Sequence, residues 1–369
     1  MLDKILKYLP LYNLIYAVKY FVAAIQIPHS FLRTLFIKPE ITKFNDYTKR
    51  NSFIYIYASA EPELGESSFN ILKTVKELGG YIILVTNAKS YTFNDQARSL
   101  VDVFIDNNDT GWDFAEYKQA SKYIYSNLSA NDFSKVIYAN DSVFYLPKKL
   151  KDEVLLLLDD KRDVVSFFDG SANQHYHLAS WCLSISKNIF LDPVIRNFWN
   201  RYFEVKNKFY TIVRGEFGLS KALFSLSPNV FAVYNGFYLN SLAELNINNI
   251  KYVSAKLTAD FFENRYFFYE NNSQGADSFK DYVAHNLSSY PVPQTFAPLL
   301  LKFYDLSFIK KDLFWHESQS LNSLYFMFSI LDEKINESYS NLIKSYFLKR
   351  GRISTAKFHV KIMVFLGIR

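Results

Sequence analysis

Three short polar clusters follow apolar runs of strand length, and a fourth lies further along the chain. All four contain carboxylates, and some add amides or imidazoles, the groups that accept protons, bind metals and hydrogen-bond polar ligands. The clusters are NNDTGWDFAEYK at residues 107–118, VIYANDSVFYLP at 136–147, FFDGSANQHYHLASW at 167–181 and RGEFGLSKALF at 214–224.

The first cluster leads from the end of a strand directly into a helix. Gly111 allows a tight turn and a close approach of the backbone to a ligand. We expect Asn107, Asp109 and Asp113 to surround a polar ligand, such as the base and ribose of a nucleotide. Asp113 also falls at the helix start, and a simple N-terminal cap explains it equally well.

The second cluster places Asn140, Asp141 and Ser142 directly after an apolar strand. A carboxylate at such a strand end lies over the ligand crevice of an α/β sheet. Asp141 is therefore a candidate ligand, directly or through water, for a divalent cation such as Mg²⁺ or Mn²⁺ that neutralises phosphate groups. Lys or Arg side chains can neutralise phosphates without a metal. The structural alternative is an Asx-turn that ends the strand.

The third cluster contains Asp169, which follows an apolar run and is a candidate general base. If Tyr176 lies in extended chain, the side chains of His175 and His177 point to the same side. Two histidines and a carboxylate can bind a metal ion. A single histidine is more often a hydrogen-bonded structural residue, so both interpretations stay open.

The fourth cluster places Glu216 at the start of a helical stretch. A carboxylate there interacts favourably with the helix dipole, which is a sufficient structural explanation. The chemical alternative is that Glu216 accepts the proton of a substrate hydroxyl group.

These clusters are positioned by alternating strands and helices, which predict an α/β fold with a mostly parallel sheet. Ligands of such sheets bind beyond the carboxyl ends of the strands, so the loops at Ser59, Asn107, Asn140 and Asp169 are of interest. Beyond about residue 190 the pattern is mainly helical, and NNSQGADS from Asn271 predicts a linker or exposed loop. The predicted strands are SFIYIYASA, YIILVTNA, VDVFIDNN, KVIYAND, DVVSFFDG and HLASWCLSIS, and the predicted helices are SSFNILKTVKELGG capped by Ser67 or Ser68, WDFAEYKQASKYIYSNL and KLKDEVLLLLDD.

Composition excludes several classes of protein. Of the 369 residues, 49% are hydrophobic and 21% are charged, which allows a large core. The single cysteine, Cys182, excludes an internal disulfide framework and a cysteine-based zinc cluster, and is expected to be buried filler in a cytoplasmic protein. The motifs GxxxxGK[ST], GxGxxG, GxSxG and HExxH are absent, which removes the usual nucleotide hydrolases, dehydrogenases, esterases and metalloproteases.

Both ends of the chain mix basic and apolar residues. The uncharged stretch at residues 9–18 near the N-terminus is too short to span a bilayer, and no signal-peptide cleavage site follows it. The composition suits a helix in an anionic membrane interface, or a helix packed on the domain behind it. Nucleic acid is not expected as a partner, because the basic residues lie at the ends and not along one aromatic stripe.

Taken in order, the clusters resemble the rhamnan synthesis protein F family of polysaccharide glycosyltransferases. The resemblance covers roughly residues 52–315, and its strength is the order of the motifs, because each one is short. The matching segments are NNDTGWDFAEYK, VIYANDSVFYLP, HLASWCLSISKNIF with FWNRYF, GEFGLSKAL, YPVPQTFAPLL and LSFIKKDLF.

The resemblance implies a GT-A-like domain of the Rossmann type at residues 50–265, between a basic apolar segment at 1–45 and a helical region at 266–369. It implies transfer of a deoxyhexose, typically rhamnose, from a nucleotide-sugar donor to a lipid-linked glycan of a surface polysaccharide. Our own hypothesis is that the transfer is inverting. Asn107, Gly111 and Asp113 would then serve the donor. Asn140, Asp141 and Ser142 occupy the metal-motif position, but Asn140 replaces the first acid of the usual DxD, so metal-independent binding stays open.

We further expect the protein to act together with other polysaccharide-assembly enzymes. Its expected location is the cytoplasmic face of the inner membrane, as a peripheral protein. Two alternatives from other classes remain. One is a non-catalytic assembly protein whose transferase-like domain only binds glycan or partner enzymes. The other is a peripheral membrane protein whose basic ends recognise lipid and whose middle is structural.

Overall fold

The computed structural model describes residues 10–93, 95–108, 111–172, 175–235, 257–260, 279, 281–283 and 291–368. Its strands are β1 Glu40–Lys43, β2 Phe53–Ser59, β3 Gly80–Thr86, β4 Val103–Asp106, β5 Lys135–Asn140, β6 Val143–Tyr145, β7 Val164–Ser166, β8 Asp169–Ala172, β9 His175–Leu178, β10 Cys182–Ser186, β11 Val230–Ala232 and β12 Phe308–Lys310.

The helices alternate with these strands as far as β5 and are concentrated after β10. They are α1 Pro10–Phe36, α2 Glu66–Glu77, α3 Asp95–Leu100, α4 Asp113–Asn127, α5 Leu150–Asp159, α6 Lys187–Leu191, α7 Pro193–Arg201, α8 Lys208–Tyr210, α9 Phe217–Leu226, α10 Val292–Thr295, α11 Ala297–Phe303, α12 Leu321–Lys334, α13 Glu337–Arg350 and α14 Phe358–Phe365. A π-helical segment, Thr211–Glu216, joins α8 to α9, and a short 3₁₀ helix covers Ile353–Thr355.

The main sheet of the described chain has eight strands in the order β1-β4-β3-β2-β5-β10-β7-β11. The four neighbouring strands β4, β3, β2 and β5 run parallel to one another. Strand β10 is antiparallel to both β5 and β7, so β7 runs in the same direction as β5. Strand β11 is parallel to β7. The edge strand β1 is antiparallel to β4. The predicted α/β class and mostly parallel sheet are therefore confirmed.

The central strands are buried on both faces, which explains their near-continuous apolar sequences. Every residue of β2 and β3 is buried. Alternate residues of β2 enter two different clusters: Tyr55 and Tyr57 pack with helices α2, α5 and α11–α13, and Ile54 and Ile56 pack with α4, α7 and α9. The two faces thus support the strand ends from both sides.

The predicted strands and helices between residues 52 and 160 are confirmed in type, with small shifts at their ends. The predicted cap of the first helix is wrong: Gly65 is the N-cap residue and no side chain caps α2. The Ser67 hydroxyl instead accepts a hydrogen bond from the Tyr145 backbone N–H, and the hydroxyls of Ser68 and Tyr57 lie 2.7 Å apart. Contacts across the fold therefore replace the local cap.

The chain beyond residue 160 differs more from the predictions. DVVSFFDG is not one strand: β7 ends at Ser166, and Asp169 begins the separate hairpin β8–β9. HLASWCLSIS is likewise divided between β9 and β10. Short strands also occur where mainly helices were expected, since β11 extends the main sheet and β12 pairs with β6.

The C-terminal region packs on the sheet. Helices α11–α13 share a hydrophobic cluster with β2, β3 and β5. The predicted domain boundary after residue 265 and the linker from Asn271 lie outside the described residues. At the N-terminal end, β1 of the predicted segment 1–45 belongs to the main sheet.

Two expectations concern single features. Cys182 is a free, buried side chain in β10, as expected of structural filler. Across the helices that the structure describes, none has both the length and the apolar character needed to cross a bilayer.

Candidate functional site

The candidate site lies at the edge of the main sheet where β2, β3, β4, β5 and β7 end. The loops after these strands begin at Ala60, Asn87, Asn107, Asp141 and Phe167, so four of them start within a residue or two of the loops predicted from sequence. Helix α4 starts at this edge with Asp113. Strand β10 also starts here, since its first residue, Cys182, pairs with Ala139 near the end of β5. One sheet edge therefore gathers most of the predicted polar residues.

A chain of hydrogen bonds joins three distant segments at this edge. The Lys310 ammonium donates to the Ser142 hydroxyl oxygen over 2.8 Å, and the Ser142 hydroxyl donates to the Asn140 Oδ1 over 2.5 Å. The Asn140 Nδ2 then donates to the Asp113 Oδ2 over 2.9 Å. The end of β12, the turn after β5 and the start of α4 are thereby held together.

Glu216 reaches the same region from the helical segment that contains α8 and α9. The predicted position at a helix start is wrong, because the π-helical segment and α9 form one continuous helix around Glu216. The Ser180 hydroxyl donates to the Glu216 Oε1 over 3.0 Å. The preceding Gly215 packs on the Phe114 ring, where an added Cβ would lie 2.8 Å from the nearest ring atoms. Close packing on α4 thus places Glu216 near Asp113.

Two lysines complete a set that we call the charged cluster: Asp113, Lys208, Glu216, Lys310 and Asp312. Burial lowers the pKa of Lys208, but the nearby carboxylates outweigh it and hold the pKa above its usual value. For Lys310 burial prevails, and its pKa is lowered even though the carboxylates raise it. Burial raises the pKa of Asp312, but Lys310, His316 and Lys208 together bring it below its usual value. These interactions indicate that five ionisable groups of both signs lie near one another at this edge of the sheet.

Asp141 points to a different part of the edge. Its Oδ2 accepts hydrogen bonds from the Ala60 backbone N–H over 2.8 Å and the Ser59 hydroxyl over 3.3 Å. Burial raises its pKa, partly offset by the nearby Lys311. The Asx-turn considered for Asp141 is made by Asn140 instead, whose Oδ1 accepts the Ser142 backbone N–H. Asp141 therefore ties the loop after β2 to the end of β5.

The loop after β4 contains the predicted ligand-binding residues Asn107 and Gly111. Asn107 is buried, and its backbone N–H donates to the Thr86 carbonyl. The predicted tight turn at Gly111 is confirmed: its φ is +68°, and a Cβ there would lie 2.4 Å from the Cβ of Ala115. Asp109 lies outside the described residues.

Two small cavities flank this loop, on the side that faces α1. One of about 220 Å³ is lined by Arg33, Ala88, Lys89, Asp106 and Asn108. The other, of about 200 Å³, includes Arg33 and Gly111 in its lining. Neither cavity includes a residue of the charged cluster.

Glu116 lies under the same loop and was not singled out from the sequence. It is 2% exposed, and burial together with the carboxylates of Asp141 and Asp113 raises its pKa well above the usual range. Its Oε1 has no hydrogen-bond partner among the described residues. Glu116 therefore places a further buried carboxyl group beneath the loop.

The hairpin β8–β9 carries the predicted base Asp169 and both histidines. His175 and His177 both contact the Phe217 ring, which confirms that they point to the same side. Asp169 instead accepts a hydrogen bond from the Tyr176 hydroxyl over 2.9 Å, and Tyr176 alternates with the histidines along β9. The carboxylate therefore lies on the opposite face of the hairpin from the two imidazoles.

No metal-binding group emerges in the described part of the chain, where no three His, Cys, Asp or Glu side chains come together in a suitable arrangement. The roles proposed for Asp141, His175 and His177 as metal ligands accordingly stay predictions. Asp113, Asn140, Ser142 and Glu216 do come together.

Lys208, Lys310 and Asp312 were missed as site residues. Lys310 and Asp312 belong to the segment LSFIKKDLF, in which charged residues follow an apolar run of strand length. That pattern equals the one at Asn140 and was a usable signal. Lys208 lies eight positions before Glu216 in sequence, and no local pattern marks it.

The chain matches no protein-family model and no curated protein. Among solved structures, it is similar to a mannosyltransferase from Pyrobaculum calidifontis in complex with GDP-Man and Mn²⁺. That similarity covers 91% of this chain and 97% of that chain, with 10% sequence identity and a TM-score of 0.31. A likeness this distant does not establish a shared fold or activity.

Proposed function

We propose that the protein is a glycosyltransferase of GT-A-like architecture that uses a nucleoside-diphosphate sugar as donor. The observation that carries the proposal is the charged cluster, where two lysines and three carboxylates meet at the carboxyl-end edge of the sheet. Cations are needed to bind a diphosphate, and a carboxylate is needed to activate an acceptor hydroxyl group. The charged cluster contains groups of both kinds.

Lys208 and Lys310 are proposed to bind the donor diphosphate. Burial disfavours the charged form of Lys310, so an anion beside it offsets this cost. The turn Asn140–Ser142 holds the Lys310 ammonium through the Ser142 hydroxyl. Asn107, Gly111 and Asp113 are proposed to face the nucleotide portion of the donor, on the adjoining loop.

A divalent cation at Asp141 fits these residues poorly. The Asp141 Oδ2 already accepts two hydrogen bonds, and the neighbouring Asn140 offers an amide that is bonded to Ser142 and Asp113. Diphosphate neutralisation by the lysines therefore has better support in the geometry than Mg²⁺ or Mn²⁺, and no step below requires a metal.

Glu216 is proposed as the general base of an inverting transfer. Its carboxylate removes the proton of the acceptor hydroxyl as that oxygen bonds to the anomeric carbon. The bond from this carbon to the diphosphate breaks on the opposite face, and its electron pair leaves with the diphosphate oxygen, whose charge the lysines stabilise. Asp169 is the weaker candidate, because Glu216 interacts with both Lys208 and Lys310, whereas Asp169 is not among the groups that act on either lysine.

The sugar and the polymer are proposed from the ordered motifs that resemble the rhamnan synthesis family. These suggest a deoxyhexose such as rhamnose, added to a lipid-linked glycan of a capsule, O-antigen or rhamnan type. They also suggest work beside other polysaccharide-assembly enzymes at the cytoplasmic face of the membrane.

The proposal is tested by calorimetric titration of nucleotide sugars and by release of nucleoside diphosphate. Lys310→Met is expected to weaken donor binding at least tenfold, about 1.4 kcal/mol, because an anion site loses a cation. Glu216→Gln is expected to lower kcat by about 10²–10⁴-fold while donor affinity stays nearly unchanged. Lys73→Met, an exposed lysine on α2, serves as the matched control.

Three outcomes would count against the proposal. Absence of binding to every donor favours the non-catalytic assembly protein. Full activity of Glu216→Gln would show that Glu216 is not the general base. Equal affinity of Lys310→Met and Lys73→Met for the donor would show that the charged cluster does not bind the diphosphate.

A further inference from the structure

Helix α1 presents a long apolar stripe to solvent. The exposed residues recur every three or four positions, with Pro28 filling the interval between Ile25 and Leu32, so they lie on one side of the helix. Phe21 is 65% exposed, and its neighbours along the stripe are similarly accessible. The stripe consists of Leu14, Val18, Phe21, Ile25, Leu32 and Leu35.

Helix α14 adds a second apolar stripe beside the first. Phe358, Ile362 and Phe365 are exposed at spacings of four and three residues, and Phe358 is 78% exposed. The two helices are neighbours, because the Lys19 ammonium of α1 lies 4.6 Å from the centre of the Phe365 ring. Lys19 also lies over the Phe209 ring, which packs edge-on against Tyr20. We call the exposed apolar sides of α1 and α14 the terminal face.

The two ends of the chain, which include α1 and α14, carry its excess of basic residues. Residues 1–38 and 338–369 together contain 12 of the 42 Lys and Arg residues but only one of the 36 Asp and Glu residues. The rest of the chain is therefore net acidic although the whole chain carries a charge of +6. On the terminal face itself, α1 contains Lys19 and Arg33, α14 contains Lys361, and neither helix contains Asp or Glu. An apolar surface with basic and no acidic residues is complementary to a lipid surface with anionic headgroups.

We propose that the terminal face docks the protein on the surface of an anionic bilayer, with α1 and α14 lying in the interface. Docking by apolar side chains together with basic residues needs no helix that spans the membrane, in keeping with the described helices.

A second copy of the chain fits the terminal face less well than lipid does. The stripe on α1 has the spacing of a coiled-coil seam, but charged residues normally flank such a seam. Here the flanking exposed positions include Ala17, Tyr20, Ala24 and Phe31, which widens the apolar side. Two such faces would also bring like charges together.

The terminal face adjoins the candidate site. The Lys208 backbone N–H donates to the Gly367 carbonyl over 2.6 Å, just beyond α14. The Ser30 hydroxyl of α1 donates to the Glu204 carbonyl over 2.7 Å. If the proposed transferase function holds, on which this step rests, the charged cluster opens beside the bilayer and the acceptor belongs to the class of membrane-anchored glycans.

Vesicle co-sedimentation of the full chain tests the docking without any activity measurement. We expect binding to vesicles of phosphatidylglycerol mixed with phosphatidylcholine, and binding at least tenfold weaker to phosphatidylcholine alone. The double variant Phe21→Ser/Phe358→Ser is expected to lose at least tenfold in affinity for the anionic vesicles. Leu156→Ser removes an apolar side chain of comparable exposure on α5 and is expected to bind like the parent protein.

The fold of each variant is checked by circular dichroism and thermal unfolding, because both substituted residues are exposed and their loss should leave stability unchanged. Equal binding to anionic and neutral vesicles would overturn the electrostatic part of the proposal. Unchanged binding of the double variant would overturn the docking face. The docking face would also be overturned if the parent protein forms a dimer that the double variant abolishes and that vesicles do not disrupt. Donor titration of the same samples separates either failure from a failure of the transferase proposal.

Discussion

Replacing Glu153 by Gln is expected to change how the stability of the protein depends on pH. Glu153 lies in α5 and is 4% exposed. Its carboxyl group accepts hydrogen bonds from the Ser307 backbone N–H over 3.2 Å, from the Tyr234 hydroxyl over 3.2 Å, and from the Ser307 hydroxyl. Burial raises its pKa from 4.5 to about 7, although these hydrogen bonds lower it.

The direction of the effect follows from proton binding. Because the folded-state pKa exceeds the unfolded value of 4.5, the folded protein binds more protons than the unfolded chain between pH 4.5 and about 7. The contribution to stability is fully present below the unfolded pKa and is lost as the pH rises through the folded pKa. At 1.36 kcal/mol for each unit of pKa, the loss amounts to about 3 kcal/mol above neutral pH.

Gln reproduces the neutral carboxyl group without its titration. The amide oxygen accepts from the Ser307 N–H and from Tyr234, and the amide nitrogen donates to the Ser307 hydroxyl oxygen. Relative to the parent protein, Glu153→Gln should gain about 3 kcal/mol in unfolding free energy between about pH 5 and about pH 8. For a chain of this length, such a gain corresponds to about 4 °C in Tm.

The assay is urea and thermal unfolding of both proteins across this pH range. Asp152→Asn, an exposed carboxylate on the same helix, is the control and should leave the curve unchanged. Parallel stability curves for Glu153→Gln and the parent protein would refute the reasoning, because the Glu153 carboxyl group would then titrate alike in the folded and unfolded states.

Two further substitutions test the packing that positions the site. Lys76→Met removes the partner of Asp102, which is 2% exposed, and should cost about 3 kcal/mol in urea unfolding because a buried carboxylate loses its cation; a cost near zero would show that water replaces the lysine. Gly111→Ala should cost about 1–3 kcal/mol in thermal unfolding, because φ is positive and a Cβ would contact Ala115. Gly65→Ala, where φ is negative and a Cβ has room, is the control, and equal losses at both sites would contradict the reasoning.

The sequence was sufficient for the elements whose signal is local. β2 and β3 are seven-residue runs buried on both faces, so their apolar composition marks them. Helix α4 shows its buried side through regular spacing and begins at the predicted Asp113. The short strands β6, β11 and β12 carry no comparable pattern, because each has three residues and its identity depends on a partner far away in sequence.

The candidate site was predictable in part for the same reason. Asn140, Ser142 and Asp113 follow buried strands or start a helix, and their place at the sheet edge follows from the alternation of elements. Local rules failed where distant groups compete: Ser67 bonds to the backbone of β6 instead of capping α2, and the Asx-turn considered for Asp141 is made by Asn140. The charged cluster depends on contacts across the whole chain, which no local pattern contains.

The hydrogen bond between Lys310 and Ser142 spans 168 residues, and the ion pair between Lys311 and Glu61 spans 250. During synthesis on the ribosome, strands β2 to β5 therefore emerge long before the residues that complete the edge above them. A nascent chain can build most of the sheet while Lys310 is still untranslated. The order of synthesis thus delays assembly of the site until the final part of the chain is made.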